Sequence, residues 1–88
     1  MGKVEAFIIP GVECWFWSAD HHPPHFHARH RGEWEVKVWF LEGEPDRMFQ
    51  AVRGILPGNI RKALYRAVEQ NRDELLIEWE AKVHHEDR

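Results

Sequence analysis

Five of the seven histidines lie in one eleven-residue stretch, Asp20-His21-His22-Pro23-Pro24-His25-Phe26-His27-Ala28-Arg29-His30, with two of the five prolines. Imidazole nitrogen is a good donor to Zn, Ni, Cu and Fe, and a neighbouring carboxylate can complete such a set. His25 and His27 are two residues apart, so on an extended strand both rings point to the same side. Their backbones are then about 7 Å apart, a span that two imidazoles can close on one ion. Asp20 or His21, on the bend before that strand, can fold over as a further ligand. The expected metal ligands are Asp20, His21, His25 and His27, and the expected cofactor is a divalent transition metal such as Zn. The spacing matches no standard zinc pattern, and Cys14 lies on another segment.

The same residues support two other chemistries. Histidine titrates near neutral pH. His25 and His27 can therefore act as acid and base, with Lys37 as the cation that stabilises a developing oxyanion. That is the kit of a small hydrolase or metal-independent ribonuclease, although no nucleophile or phosphate-cradling glycine loop accompanies it. The third reading is architectural: Asp20 caps the loop, His21 and His25 bond to loop carbonyls, and the prolines stiffen a corner.

The elements that position these side chains can be read from pattern. Pro24 and Pro23 push the residues before them toward extended angles, so the corner enters a strand rather than a helix. Trp34, Val36, Val38 and Phe40 alternate with Glu35, Lys37 and Trp39, which puts the first set in a core. Pairing Phe26 with Val38 and Ala28 with Val36 needs an odd loop, Arg31-Gly32-Glu33; a two-residue turn would oppose Phe26 to Lys37. In the odd register His25 faces Trp39, His27 faces Lys37 and Arg29 faces Glu35. His30 is expected to be partly buried beside Trp34. Upstream, Val4 to Ile9 and Val12 to Trp17 read as a hairpin turning at Pro10-Gly11. Met48 to Val52 reads as a short edge strand after a charged loop, Glu42 to Arg47. Helical spacing begins after an Asn59 cap with Ile60, Ala63, Leu64, Ala67 and Val68. It resumes with Leu75, Leu76, Trp79 and Val83 after a bend near Asn71. The expected fold is α+β: an antiparallel sheet of four to five strands built from hairpins, then two C-terminal helices packed on one face.

Composition narrows the class. The chain has 88 residues, 43% apolar and 31% charged, with five Trp and five Phe. This fits one small folded domain over residues 1–88, with 84–88 as a frayed tail. One cysteine excludes an internal disulfide, and with no leader pattern at the start a cytoplasmic setting is expected. The longest apolar runs are too short for a membrane. A net charge of −3 gives no overall attraction to nucleic acid. Arg61, Lys62, Arg66 and Arg72 could supply only a local basic side, interrupted by Glu69, Asp73 and Glu74. Trp15, Trp17 and Trp39 fall on the sheet face opposite Phe26 and Val36. There they either finish a second small core or form an open aromatic platform for a protein partner or a second copy of the chain.

The block Asp20-His21-His22-Pro23-Pro24-His25-Phe26-His27 resembles the signature of a small bacterial family, domain of unknown function 4160. The Trp15-Phe16-Trp17-Ser18 strand and the Asn71 to Trp79 helix are similar to theirs as well. Ala19 departs from the Asn frequent there, and Glu42 to Gly58 has no placed counterpart. The family is often linked with toxin–antitoxin-like gene pairs. The resemblance thus implies a small regulatory or partner-binding protein rather than a metabolic enzyme.

Overall fold

A computed structural model describes residues 2–83; the expected frayed tail lies outside the described residues. In chain order these form β1 (Gly2–Lys3), β2 (Glu13–Phe16), β3 (Phe26–His30), β4 (Trp34–Val38), α1 (Pro45–Met48), β5 (Phe49–Arg53) and α2 (Gly58–Lys82). The strands make one antiparallel sheet in sequential order, β1 to β5. This is the expected α+β architecture.

The β3–β4 hairpin adopts the odd register: Phe26 opposes Val38, His27 opposes Lys37, Ala28 opposes Val36 and Arg29 opposes Glu35. Gly32 turns it with φ +84, a conformation that glycine reaches without a Cβ penalty. Trp34, Val36, Val38 and Phe40 are all 2% exposed or less. On the same face Phe16 and Phe26 pack against α2, whose Leu64, Val68, Leu75 and Trp79 are fully buried. Full burial of such side chains stabilises by about 1.5–3 kcal/mol each.

The two helical arms bend where expected. Asn71 is non-helical (φ −131°, ψ 23°) inside α2, and its Nδ2 donates to the Ala67 carbonyl at 2.8 Å. A side-chain amide competing for the helix backbone in this way is a recognised cause of bending. Arg72 follows and donates from Nε to the Phe40 carbonyl at 2.8 Å, tying the bend to the segment just past β4. The start of α2 differs from expectation. Pro57, not Asn59, is the N-cap, without a side-chain cap bond. Residues 45–47, expected in a charged loop, and Met48, expected to begin the edge strand, form the single turn α1, with proline at its start, where its fixed φ suits a helix.

The first strand is also shorter than expected. Pairing is limited to Gly2 opposite Phe16 and Lys3 opposite Trp15, with Val4 N–H donating to the Cys14 carbonyl at 3.0 Å. Residues 5–9 leave the ladder. Ala6, Phe7 and Ile9 pack against the core instead, and Phe7 meets Phe26 edge-on at 5.7 Å. Their apolar run reflects burial rather than strand pairing. The chain returns at the expected Pro10-Gly11 turn, closed by Val12 N–H donating to the Ile9 carbonyl at 3.1 Å. His30, expected to be partly buried, is exposed. It ends β3 opposite Trp34, with its imidazole 3.8 Å from Glu33, since the tight turn that follows leaves nothing to cover it.

Candidate functional site

The histidine corner starts as a turn closed by its own aspartate. Asp20 N–H donates to the Trp17 carbonyl at 3.1 Å, and Trp17 N–H donates back to Asp20 Oδ2 at 3.2 Å. Beyond it the His22–Pro23 peptide is cis, and the two prolines deliver the chain to β3. His25 Nδ1–H donates to the Pro23 carbonyl at 2.9 Å. With that nitrogen holding the proton in the neutral ring, Nε2 carries a lone pair. Nε2 lies 3.5 Å from Asp20 Oδ2. His27 Nε2 lies 3.0 Å from the same oxygen, to which it donates. The two imidazole centroids are 5.2 Å apart.

Aromatic rings enclose this group. Trp15 stacks on His27 at 5.4 Å and 19°, and Trp17 meets His27 edge-on at 6.2 Å. Trp39 lies 4.3 Å from His25, and Trp79 approaches from α2 at 5.6 Å. Trp39 is itself held by Nε1–H donating to Gln50 on β5 at 3.1 Å. The result is burial: His25 and His27 are 3% and 5% exposed. Burial pushes the His25 pKa below the ordinary histidine value, outweighing the Pro23 carbonyl and the Asp20 carboxylate, which pull it up; His27 and Lys37 lower it further. A neutral His25 is the form that offers Nε2 to a cation. Two buried ring nitrogens, His25 Nε2 and His27 Nδ1, have no hydrogen-bond partner. Such orphaned atoms are costly in a protein interior.

Asp20, His25 and His27 fit a metal ion. One ligand atom from each lies within 4.8 Å of the others. Ligands about 2.0–2.1 Å from a tetrahedral zinc lie roughly 3.4 Å from one another. The 3.0 and 3.5 Å separations from Asp20 Oδ2 bracket that spacing, whereas the group as a whole spans up to 4.8 Å and would have to draw together around an ion. The Pro23 carbonyl orients the His25 ring from behind, as outer partners of metal-bound histidines do. His27 lacks such a partner on Nδ1 and holds its proton on Nε2 against Asp20, so it would join the set only by releasing or relocating that proton. His21, the fourth expected ligand, is exposed and is not part of the group. Lys37 stands opposite His27 as the register requires, its Nζ 5.7 Å from the Trp39 ring.

Other features resolve into packing. Trp15 is buried at 3% exposure, Trp39 is half-buried, and Trp17 stays 45% exposed. The rings thus finish a second small core around the histidines and leave only Trp17 open. Sequence pattern places Trp39 beside His25. It does not pair Trp15 with His27, because the β2–β3 register depends on how the long Pro loop folds. Of the basic helix residues, Arg61 pairs with Asp46 at 3.0 Å and Arg72 serves the Phe40 carbonyl. Cys14, mostly buried, has its thiol pKa pushed up to about 12 by desolvation, so it stays neutral and unreactive.

No helix among the described residues is long and apolar enough to cross a membrane. No curated protein and no solved structure matches the chain. A family model does match, over residues 11–80, which span β2, the proline corner, the histidine strand and nearly all of α2. The chain therefore belongs to the family described as domain of unknown function (DUF4160).

Proposed function

We propose that the chain is a small bacterial regulatory or interaction protein whose Asp20, His25 and His27 hold a divalent transition metal, with Zn the leading candidate. One observation carries this reading. His25 is turned by the Pro23 carbonyl so that its bare Nε2 faces the Asp20 carboxylate at 3.5 Å in a buried pocket. Two acceptors facing each other without a proton between them repel, and a cation between them reverses the sign. A fourth position would be open to water. The metal would pin the proline corner, and with it Trp17, against the sheet. A cytoplasmic protein partner, encoded alongside in a toxin–antitoxin-like pair, is the occupant that the family context favours for the exposed Trp17. The alternative, a hydrolase or ribonuclease using His25 and His27 as acid and base with Lys37, needs rings that a substrate can reach. Their 3% and 5% exposure weighs toward the metal.

The test is metal content. Protein purified without nickel resin, stripped with chelator and re-exposed to zinc should retain about one ion per chain after desalting. Asp20→Asn and His25→Ala should lose it, whereas His84→Ala with His85→Ala should keep it. Retention by the Asp20 and His25 variants, or no retention by the wild type, would remove the reading.

A further inference from the structure

The segment between Val4 and the Ile9–Val12 turn leaves the ladder, and space opens between it and β2. That cavity is about 470 Å³, within the roughly 300–1,000 Å³ typical of small-ligand sites. Its walls include Val4, Phe7, Ile9, Val12 and Trp15. Ile8, also lining it, is 81% exposed. Cys14 lines it too, adding a neutral thiol rather than a charge. Three polar features interrupt this apolar surface. Lys3 is exposed and lines the cavity. Arg29 lines it as well, its guanidinium 4.8 Å above the Trp15 ring. Glu13 also lines the cavity and is shared between Arg29 at 2.7 Å and Arg31, outside it, at 3.4 Å, so with Lys3 the lining keeps one net positive charge. Trp15, buried at 3% exposure, contributes only ring surface to the wall.

We infer that this cavity binds a small amphipathic carboxylate, with its apolar part among Val4, Phe7, Ile9 and Val12 and its charged end beside Lys3 and Arg29. An apolar body suits the walls, and one negative charge suits the surplus. A carboxylate can take charge-assisted bonds from Lys3 or Arg29. A neutral lipid alcohol would satisfy the walls but not the cations. A bare anion such as phosphate would satisfy the cations but leave the walls wet. The site uses none of Asp20, His25 or His27, so it stands or falls separately from the metal reading.

Titration of the full chain with sodium octanoate, followed by calorimetry and by the indole N–H resonances in ¹⁵N-labelled protein, tests it. Octanoate should bind once per chain and shift the Trp15 indole resonance, assigned by its loss in Trp15→Phe. Since a hydrogen bond to a charged group is worth about 1.5–3 kcal/mol, 1-octanol should bind about tenfold more weakly or worse. Lys3→Gln and Arg29→Gln should each weaken octanoate, and Val12→Trp, which fills the cavity, should abolish binding. Lys3 is an exposed residue, so Lys3→Gln decides the matter even if another variant fails to fold. Equal binding of octanol shows a merely greasy groove and overturns the proposal. So do absence of binding, an unmoved Trp15 resonance, or unchanged affinity in Lys3→Gln.

Discussion

At the scale of single residues, the site is set by which nitrogen of each imidazole is occupied. His25 donates from Nδ1–H to the Pro23 carbonyl, and His27 donates from Nε2–H to Asp20 Oδ2. This has a consequence for stability in chelated, metal-free protein. Burial lowers the His25 pKa in the folded state, while the unfolded chain keeps the ordinary value near 6.5. Between those two values the unfolded chain binds a proton at residue 25 that the folded chain refuses. Stability therefore falls as pH drops through that window and levels off below the folded pKa; well above 6.5 the contribution is flat. One proton limits the slope to about 1.4 kcal/mol per pH unit. Urea midpoints measured from pH 7.5 to 5 should fall less steeply for His25→Gln than for the wild type. A wild-type NMR titration should show the His25 ring still neutral when exposed histidines are half charged. The meeting of His25, His27 and Asp20 was legible in sequence because alternation and two prolines constrain the corner. The exclusion of His21 was not, since a residue beside a turn can face either way until the turn closes. The burial of the rings was also hidden, because it depends on Trp15 and Trp79, which arrive from β2 and α2.

At the scale of elements, local patterns decided most of the outcome. The β3–β4 register followed from matching apolar faces, and the bend in α2 followed from an asparagine between two helical repeats. The N-terminal segment misled because Val4, Ala6, Phe7 and Ile9 are apolar for packing, and β-branched composition does not tell packing from pairing. A further element-scale constraint sits at Gly54, after β5. There the pairing shifts between Glu35 and Val36, so that Arg53 opposes Glu35 while Ala51 opposes Val36. The chain then turns through Gly54 at φ +68, where an added Cβ would run into the Glu33 carbonyl. Gly32, also at positive φ, has open space around it. Both Gly→Ala changes incur the left-handed penalty of about 1–2 kcal/mol. Only Gly54→Ala adds a backbone clash, because the Glu33 carbonyl is fixed by the β3–β4 turn. Chemical denaturation should therefore rank the losses as about 1–2 kcal/mol for Gly32→Ala and clearly more for Gly54→Ala. Equal losses would mean that the β5 edge is loosely held.

At the scale of the whole molecule, one sheet with one bent helix encloses a core of modest size, and the second, aromatic core rests on three polar side chains. Domains of this size sit near the margin of stability. A ligand that binds only the folded state therefore shows in the melt. Its stabilisation is RT ln(1 + [L]/Kd), about 2.7 kcal/mol at a hundredfold excess over Kd. For a 60–100-residue domain each kcal/mol moves Tm by roughly 4–8 °C. Zinc at that excess should thus raise the Tm of chelator-stripped protein by about 10–20 °C. The rise comes from mass action, the ion binding the folded chain and not the unfolded one. It should grow with the logarithm of free zinc and vanish in His25→Ala, whose remaining donors cannot complete the set. Magnesium should give no comparable shift, because it prefers all-oxygen coordination and dehydrates reluctantly. A zinc-induced rise of the same size in His25→Ala would place the ion among surface histidines and dissociate it from the proline corner. A zinc-indifferent wild type would leave Asp20, His25 and His27 as a hydrogen-bonded corner that holds the aromatic core on its own.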